Sequence, residues 1–279
     1  MSTALKVSKI NNEKVTAIPL VGEGKDDKKP IKGYNVLPAI FCNLFILAKK
    51  QMGKTTLIYK VLKDCIDPRT KVYAFVSTLN KDKNWKAIKR YCKKHNIEFN
   101  GYTSIIENDV NILANLVHRL QEEAEDSDDE DEKPEKKVNH IICNDDDCDE
   151  DDKPKKRYKY RVPEYMFILD DLSDELMNPA VVALVKKHRH FFSKVIIGNQ
   201  YWNDFQKSAR KQMDFMIIFG EEPLDKLDEI YKQLRLNISF EKFFELYEFA
   251  TKEKYSFLYI DINNCEYRKN FDLKIHVSK

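Results

Sequence analysis

An apolar run, Cys42-Asn43-Leu44-Phe45-Ile46-Leu47, passes directly into Ala48-Lys49-Lys50-Gln51-Met52-Gly53-Lys54-Thr55 and then into the helical-looking stretch Thr56 to Ile66. A strand, a short loop and a helix in that order aim backbone N–H groups out of a helix N-terminus. Such a loop can curl round a β-phosphate while Lys54 reaches the β- and γ-oxygens and the Thr55 hydroxyl ligates magnesium. Ala48, Lys49, Lys50, Gln51, Met52, Gly53, Lys54, Thr55 and Thr56 are therefore the candidate contacts for ATP with Mg2+. Ala48 stands where the pattern G-x-x-x-x-G-K-[ST] has its first glycine. Alanine serves there if only a small side chain is required, but not readily if φ must be positive. The plain alternative is a lysine-rich turn between a strand and a helix.

A second segment answers the first. Tyr165-Met166-Phe167-Ile168-Leu169-Asp170-Asp171 is an apolar run ending in two carboxylates, the pattern of a buried parallel strand that delivers acids to a site at its C-terminal end. In phosphoryl transfer Asp170 would hold magnesium together with Thr55, and Asp171 would polarise the attacking water, with Glu175 next in line for that role. An acidic helix start, with Asp174 and Glu175 in its first turn, would read similarly. Lys194-Val195-Ile196-Ile197-Gly198-Asn199-Gln200 repeats the design with an amide at its end, and Gln200 is the candidate to orient water or sense the γ-phosphate. Arg210, ahead of the apolar run Phe215 to Phe219, could complete a neighbouring subunit's site. Otherwise it pairs with Asp214 or Glu221 on its own surface, and Arg189 is the next candidate.

The phosphate loop, Ile168-Leu169-Asp170-Asp171, Arg189-His190, Gln200 and Arg210 ahead of Asp214-Phe215-Met216-Ile217-Ile218-Phe219 together resemble the virion DNA-packaging ATPases of large DNA viruses. These are the poxvirus-type branch of the FtsK–HerA class, found also in virophages and Polinton-like elements. The resemblance extends, with gaps, from about Leu44 to Ile275 and takes in Lys254 to Asp261 and Tyr267 to Asp272. It implies a RecA/FtsK-like P-loop fold and a homo-oligomeric ring, pentamer or hexamer, that drives double-stranded DNA into a capsid through a vertex by ATP hydrolysis. The setting it implies is the host cell cytoplasm, in a viral factory, or the virion. Ala48 and a long acidic insertion before the Asp170 strand depart from the pattern.

Charge is divided unevenly along the chain. Glu122 to Asp152 carries 17 acidic residues against 3 lysines, a local −14 that leaves +16 for the rest of a chain whose formal total is +2. A basic body suits sequence-independent grip on DNA phosphates, although any single lysine is more simply a solvated one. Residues 122–157 are too charged and too poor in apolar side chains to fold, so the expectation is a disordered acidic insertion that shields the basic surface or merely solubilises it. His140, Cys143 and Cys148 within it are too few and too irregularly spaced for a zinc site. The six cysteines are scattered like reduced core thiols, with no disulfide framework. No run approaches a membrane span, and the polar N-terminus lacks a signal-peptide core.

Strands should alternate with helices: a strand over Lys71 to Val76, helices over Trp85 to His95, Asp109 to Leu120 and Asp174 to His188, and strands over Tyr255 to Ile260 and Leu273 to Val277. This order specifies an α/β fold with a mainly parallel sheet flanked by helices and a nucleotide at the strands' carboxyl ends. Residues 1–32 are expected to be an N-terminal arm that packs on a neighbouring subunit, and 33–279 the ATPase domain. A small-molecule or nucleoside kinase would share the phosphate loop, but the apolar strand so soon after Arg210 leaves little room for a lid. A non-hydrolysing assembly factor is the other alternative, and the joint presence of Lys54, Thr55, Asp170 and Asp171 argues against it.

Overall fold

The computed structural model describes residues 29–128 and 159–277. Eleven strands and seven helices are found among these residues: β1 (Cys42–Leu47), α1 (Lys54–Cys65), β2 (Lys71–Val76), α2 (Lys83–Lys94), β3 (Phe99–Tyr102), β4 (Ile106–Glu107), β5 (Val110–Asn111), α3 (Ile112–Asp128), β6 (Tyr165–Asp170), α4 (Pro179–Lys187), β7 (Ser193–Asn199), α5 (Lys207–Arg210), β8 (Phe215–Phe219), α6 (Leu224–Leu234), α7 (Phe240–Ala250), β9 (Phe257–Asp261), β10 (Glu266–Lys269) and β11 (Leu273–Ile275). Nine strands join in one sheet in the order β11-β10-β9-β8-β1-β7-β6-β2-β3, while β4 and β5 form a small separate hairpin.

From β8 through β3 the sheet is parallel, and β9, β10 and β11 extend it antiparallel from the β8 edge. Strand β7 separates β1 from β6, which puts the ends of the phosphate-loop strand, the amide strand and the acid strand side by side. Both faces are covered. Phe45 and Leu47 of β1 and Phe167 and Leu169 of β6 pack on the side that carries α3 to α7. The alternate residues, Leu44, Ile46, Met166 and Ile168, pack against α1 and α2. A strand buried on both faces has to be apolar throughout, which is why these runs do not alternate in polarity. Phe45 is held edge-on by Trp202, with ring centroids 4.7 Å apart, and is stacked on Phe205 at 5.6 Å. Losing a ring so enclosed costs about 3–5 kcal/mol.

Several expectations change. The helix anticipated over Asp109 to Leu120 starts at Ile112 and continues to Asp128, so residues 122–128 of the acidic insertion are helical. Its apolar N-terminal half packs Leu113, Leu116, Val117 and Leu120 into the core, and glutamate and alanine prolong a helix once it has begun. The remainder of the insertion, with His140, Cys143 and Cys148, lies outside the described residues, as does the arm up to residue 28.

The helix anticipated over Asp174 to His188 divides into a short 3-10 turn, Ser173–Met177, and α4. Pro179 cannot donate a backbone hydrogen bond, and the Asn178 side chain instead caps the new helix by accepting from the Ala180 N–H at 2.9 Å. Of the cysteines, Cys42, Cys65 and Cys92 are buried free thiols, whereas Cys265 is exposed.

Candidate active site

The phosphate loop leaves the buried end of β1 and enters α1 through a Gly53 whose φ of 95° only glycine adopts without strain. Ala48 is not among the residues with positive φ, and it is fully buried. Its N–H donates to the Asn199 carbonyl at 3.1 Å, tying the loop to the end of β7. The first glycine of the pattern is therefore dispensable here, since the position demands small size rather than left-handed backbone. Lys49 to Thr56 line a cleft of about 710 Å3 that also reaches Asp82, Asp171 and Gln200.

Lys54 is only 7% exposed and lies between the two aspartates. Its ammonium donates to Asp171 Oδ1 and stands 3.1 Å from Asp170 Oδ1. That second contact is an ion pair without hydrogen-bond geometry, which leaves the buried Asp170 Oδ1 with no donor. Asp170 Oδ2 accepts from the Trp85 indole N–H at 3.2 Å, so α2 orients the carboxylate. Burial raises the Asp170 carboxyl to about 6; Lys54 opposes the rise and Asp171 adds to it. A desolvated carboxylate paired with the lysine that precedes Thr55 at the start of α1 fits a divalent ion that arrives with its nucleotide. Thr55 and Asp170 would hold it, and when bound it would neutralise charge on the phosphate oxygens.

Gly198, which pairs in register with Asp170 across β6 and β7, keeps this arrangement possible. A Cβ there would come within 2.7 Å of Asp170 Oδ1 and 3.1 Å of Lys54 Cδ. The strand-interior glycine accommodates the close approach of the Asp170 and Lys54 side chains, one of which would have to shift for a larger residue. Asp171 differs from Asp170 in every respect: its side chain is 31% exposed, its φ is 52°, and its N–H donates to the Gly198 carbonyl at 3.0 Å. Ser173 also has positive φ, so the turn after β6 is held in sparsely populated backbone at the point where it faces the cleft.

Gln200, just beyond β7, lines the cleft and also a smaller cavity behind it that contains Glu222. Burial raises the Glu222 carboxyl, and Lys49 opposes that shift; its Oε1 has no partner. Glu175 does not reach the cleft, because its Oε2 accepts from the Ser104 hydroxyl at 2.7 Å and the Ile105 N–H at 2.6 Å.

Arg210 lies outside the cleft and pairs with neither Asp214 nor Glu221. Its guanidinium donates to Asn203 Oδ1 at 2.7 Å and Gln233 Oε1 at 2.9 Å, and lies 5.6 Å from the Trp202 ring. Arg189 pairs with Asp214 at 3.4 Å, next to the residue where β8 begins and hence at the opposite end of the parallel strands from the phosphate loop. The sequence reading missed Trp85 and Glu222. An indole in a basic helix and a glutamate after a strand give no local sign of a role.

Solved structures share this architecture. The DNA-packaging ATPase B204 from Sulfolobus turreted icosahedral virus superposes with a TM-score of 0.50 at 16% identity, over 85% of this chain and 98% of that one. The fold is that of a P-loop ATPase. The genome-packaging NTPase B204 of Sulfolobus turreted icosahedral virus 2, in complex with AMP, gives a TM-score of 0.48 at 17% identity over the same shares of each chain. The cytoplasmic domain of the type VII secretion ATPase EccC from Thermomonospora curvata gives 0.44 at 12%, over 78% of this chain and 24% of that one. No protein-family model matches the chain, and no curated protein sequence does. Among the described residues no helix is long and apolar enough to cross a membrane.

Proposed function

We propose that this P-loop protein hydrolyses ATP with magnesium and uses the energy to move double-stranded DNA through a homo-oligomeric ring. The observation that carries the reading is the convergence of Lys54, Asp171 and Gln200 on one cleft at the carboxyl ends of parallel strands, with Asp170 buried behind and paired to Lys54. An ammonium and an ion site to take up phosphate charge, a carboxylate for water and an amide to orient it make up the set that phosphoryl transfer to water requires. DNA as the track is supported by the excess positive charge outside residues 122–152 and by the shared fold with B204, a DNA-packaging ATPase. A capsid vertex as partner and a host cytoplasmic or virion setting belong to the same proposal.

Arg210 is proposed as the arginine that reaches a neighbour's nucleotide. It lines a cavity of about 320 Å3 with Lys207, Lys211, Lys232, Gln233 and Arg235, a lining that among the described residues includes no carboxylate, although Lys232 pairs with Asp228. Burial lowers the guanidinium's pKa and Glu229 opposes that shift, yet its hydrogen-bond acceptors are neutral. A cation held rigidly by amides and an indole, without a counter-charge in direct contact, is preorganised for an anion from outside.

Substituting Lys54 by alanine and measuring ATP turnover with and without long double-stranded DNA tests the function. A motor shows DNA-stimulated turnover that the substitution abolishes, a small-molecule kinase shows no DNA stimulation, and an assembly factor turns over nothing. Gly198→Ala gives an independent check on the site. The added methyl displaces a carboxylate held by Trp85 and Lys54, so turnover should fall by about 10²-fold while the protein stays folded by circular dichroism. Wild-type turnover in that variant would mean that the position of Asp170 is immaterial.

A further inference from the structure

The cleft is chemically polarised along the sheet. On the β7 and β6 side of the phosphate loop it is bordered by Gln200 and Asp171, and on the β8 and β9 side by Phe219, Tyr255 and Phe257. If Lys54 takes the terminal phosphates, as the proposed function requires, a nucleotide laid along the loop has to extend its nucleoside toward the second end. We infer that Tyr255, on the side of the cleft that Phe219 and Phe257 also line, is the stacking platform for the nucleobase.

Three features of Tyr255 favour this role over that of an ordinary surface ring. It is 54% exposed although it stands directly on the phosphate loop, and a Cβ built on Gly53 would come within 3.6 Å of its ring. Its φ is 69°, a left-handed conformation that a bulky side chain enters only when its surroundings impose it. Those surroundings are fully bonded: Ser256 donates through its N–H to the Glu253 carbonyl at 3.1 Å, Glu253 pairs with Lys269 on β10, and the Phe257 N–H donates to Asn270 Oδ1 at 3.2 Å.

The antiparallel β9–β10 pair thus braces a loop whose ring is presented to the cleft, with Lys254 Nζ 5.0 Å from the ring centroid. Beyond Tyr255 the cleft opens into a groove of about 850 Å3 that shares Lys60, Tyr255 and Phe257, so a base and its sugar have room. Stacking on one aromatic accepts any base, since every base has a π-face.

The experiment is titration calorimetry of the full chain with ATPγS and with inorganic tripolyphosphate, which has the phosphates and no base. Tyr255→Ala should weaken ATPγS by about tenfold or more and leave tripolyphosphate unchanged, whereas Tyr255→Phe should bind both as the wild type does. Unchanged ATPγS affinity in Tyr255→Ala overturns the inference. So does an equal loss of both ligands, which would assign Tyr255 to shaping the phosphate loop. Lys54→Ala separates this failure from failure of the nucleotide reading. If it binds both ligands like the wild type, or if the wild type binds neither, the phosphate site itself is wrong.

Discussion

Asp171→Asn is expected to lower ATP turnover by about 10²-fold or more while nucleotide binding persists, as loss of a positioned base does. The substitution is favourable for a clean test because asparagine tolerates the left-handed φ of 52° at this position. The backbone N–H that bonds the Gly198 carbonyl is retained. What disappears is a carboxylate that is partly exposed to the cleft. Lys54 keeps Asp170 as its counter-charge, so the loop should remain fit to bind phosphate. Turnover equal to wild type would move the water-activating role elsewhere. Glu175 is already engaged with Ser104 and Ile105, which makes Glu222, next to Gln200, the carboxylate to substitute next.

Arg210→Ala is expected to lower DNA-stimulated turnover by about 10³-fold in the assembled protein, since a guanidinium supplied in trans stabilises charge on the transferring phosphoryl group. Part of any loss could come from local unfolding, as Arg210 joins Asn203, Gln233 and the Trp202 ring. Mixing resolves the two causes. Arg210→Ala chains and Lys54→Ala chains should each be inactive alone, and mixed assemblies should recover turnover wherever an intact Lys54 meets a neighbour's Arg210. A mixture that stays inactive while assembly is verified would rule out the trans role, as would full activity of Arg210→Ala by itself. Arg189, paired to Asp214 near the far end of the strands, would then have to be examined in the same way.

How much could be read from the chain depended on whether a residue's role was local. β1, β6 and β7 are continuous apolar runs because both of their faces are covered, and the phosphate loop, Asp170, Asp171 and Gln200 follow from their places at strand ends. β10 is different. Glu-Tyr-Arg-Lys has no strand signature, and it is extended because β9 and β11 pair with it. Trp85 meets Asp170 across 85 positions of sequence, a distance no local pattern encodes. Tyr255 reads as the first residue of a strand to Ile260, yet β9 begins at Phe257, and the ring's place beside Gly53 on a distant loop is nowhere in the local pattern. α6 is legible from sequence alone, since Leu227, Ile230 and Leu234 stand at helical spacing and bury one face.

One consequence of the Lys54 contacts concerns order in time. A single ammonium is set against two carboxylates, and Asp171 is tethered by the very lysine that a phosphate must recruit. A polyphosphate that stops short of Lys54 leaves the tether in place. Under the proposed function, one that reaches it would draw the lysine away and set Asp171 free when a terminal phosphate is seated, so the pair would act as an interlock on the base. Asp171→Asn, which has no carboxylate to compete for the lysine, should therefore bind polyphosphates that reach Lys54 more tightly than the wild type does.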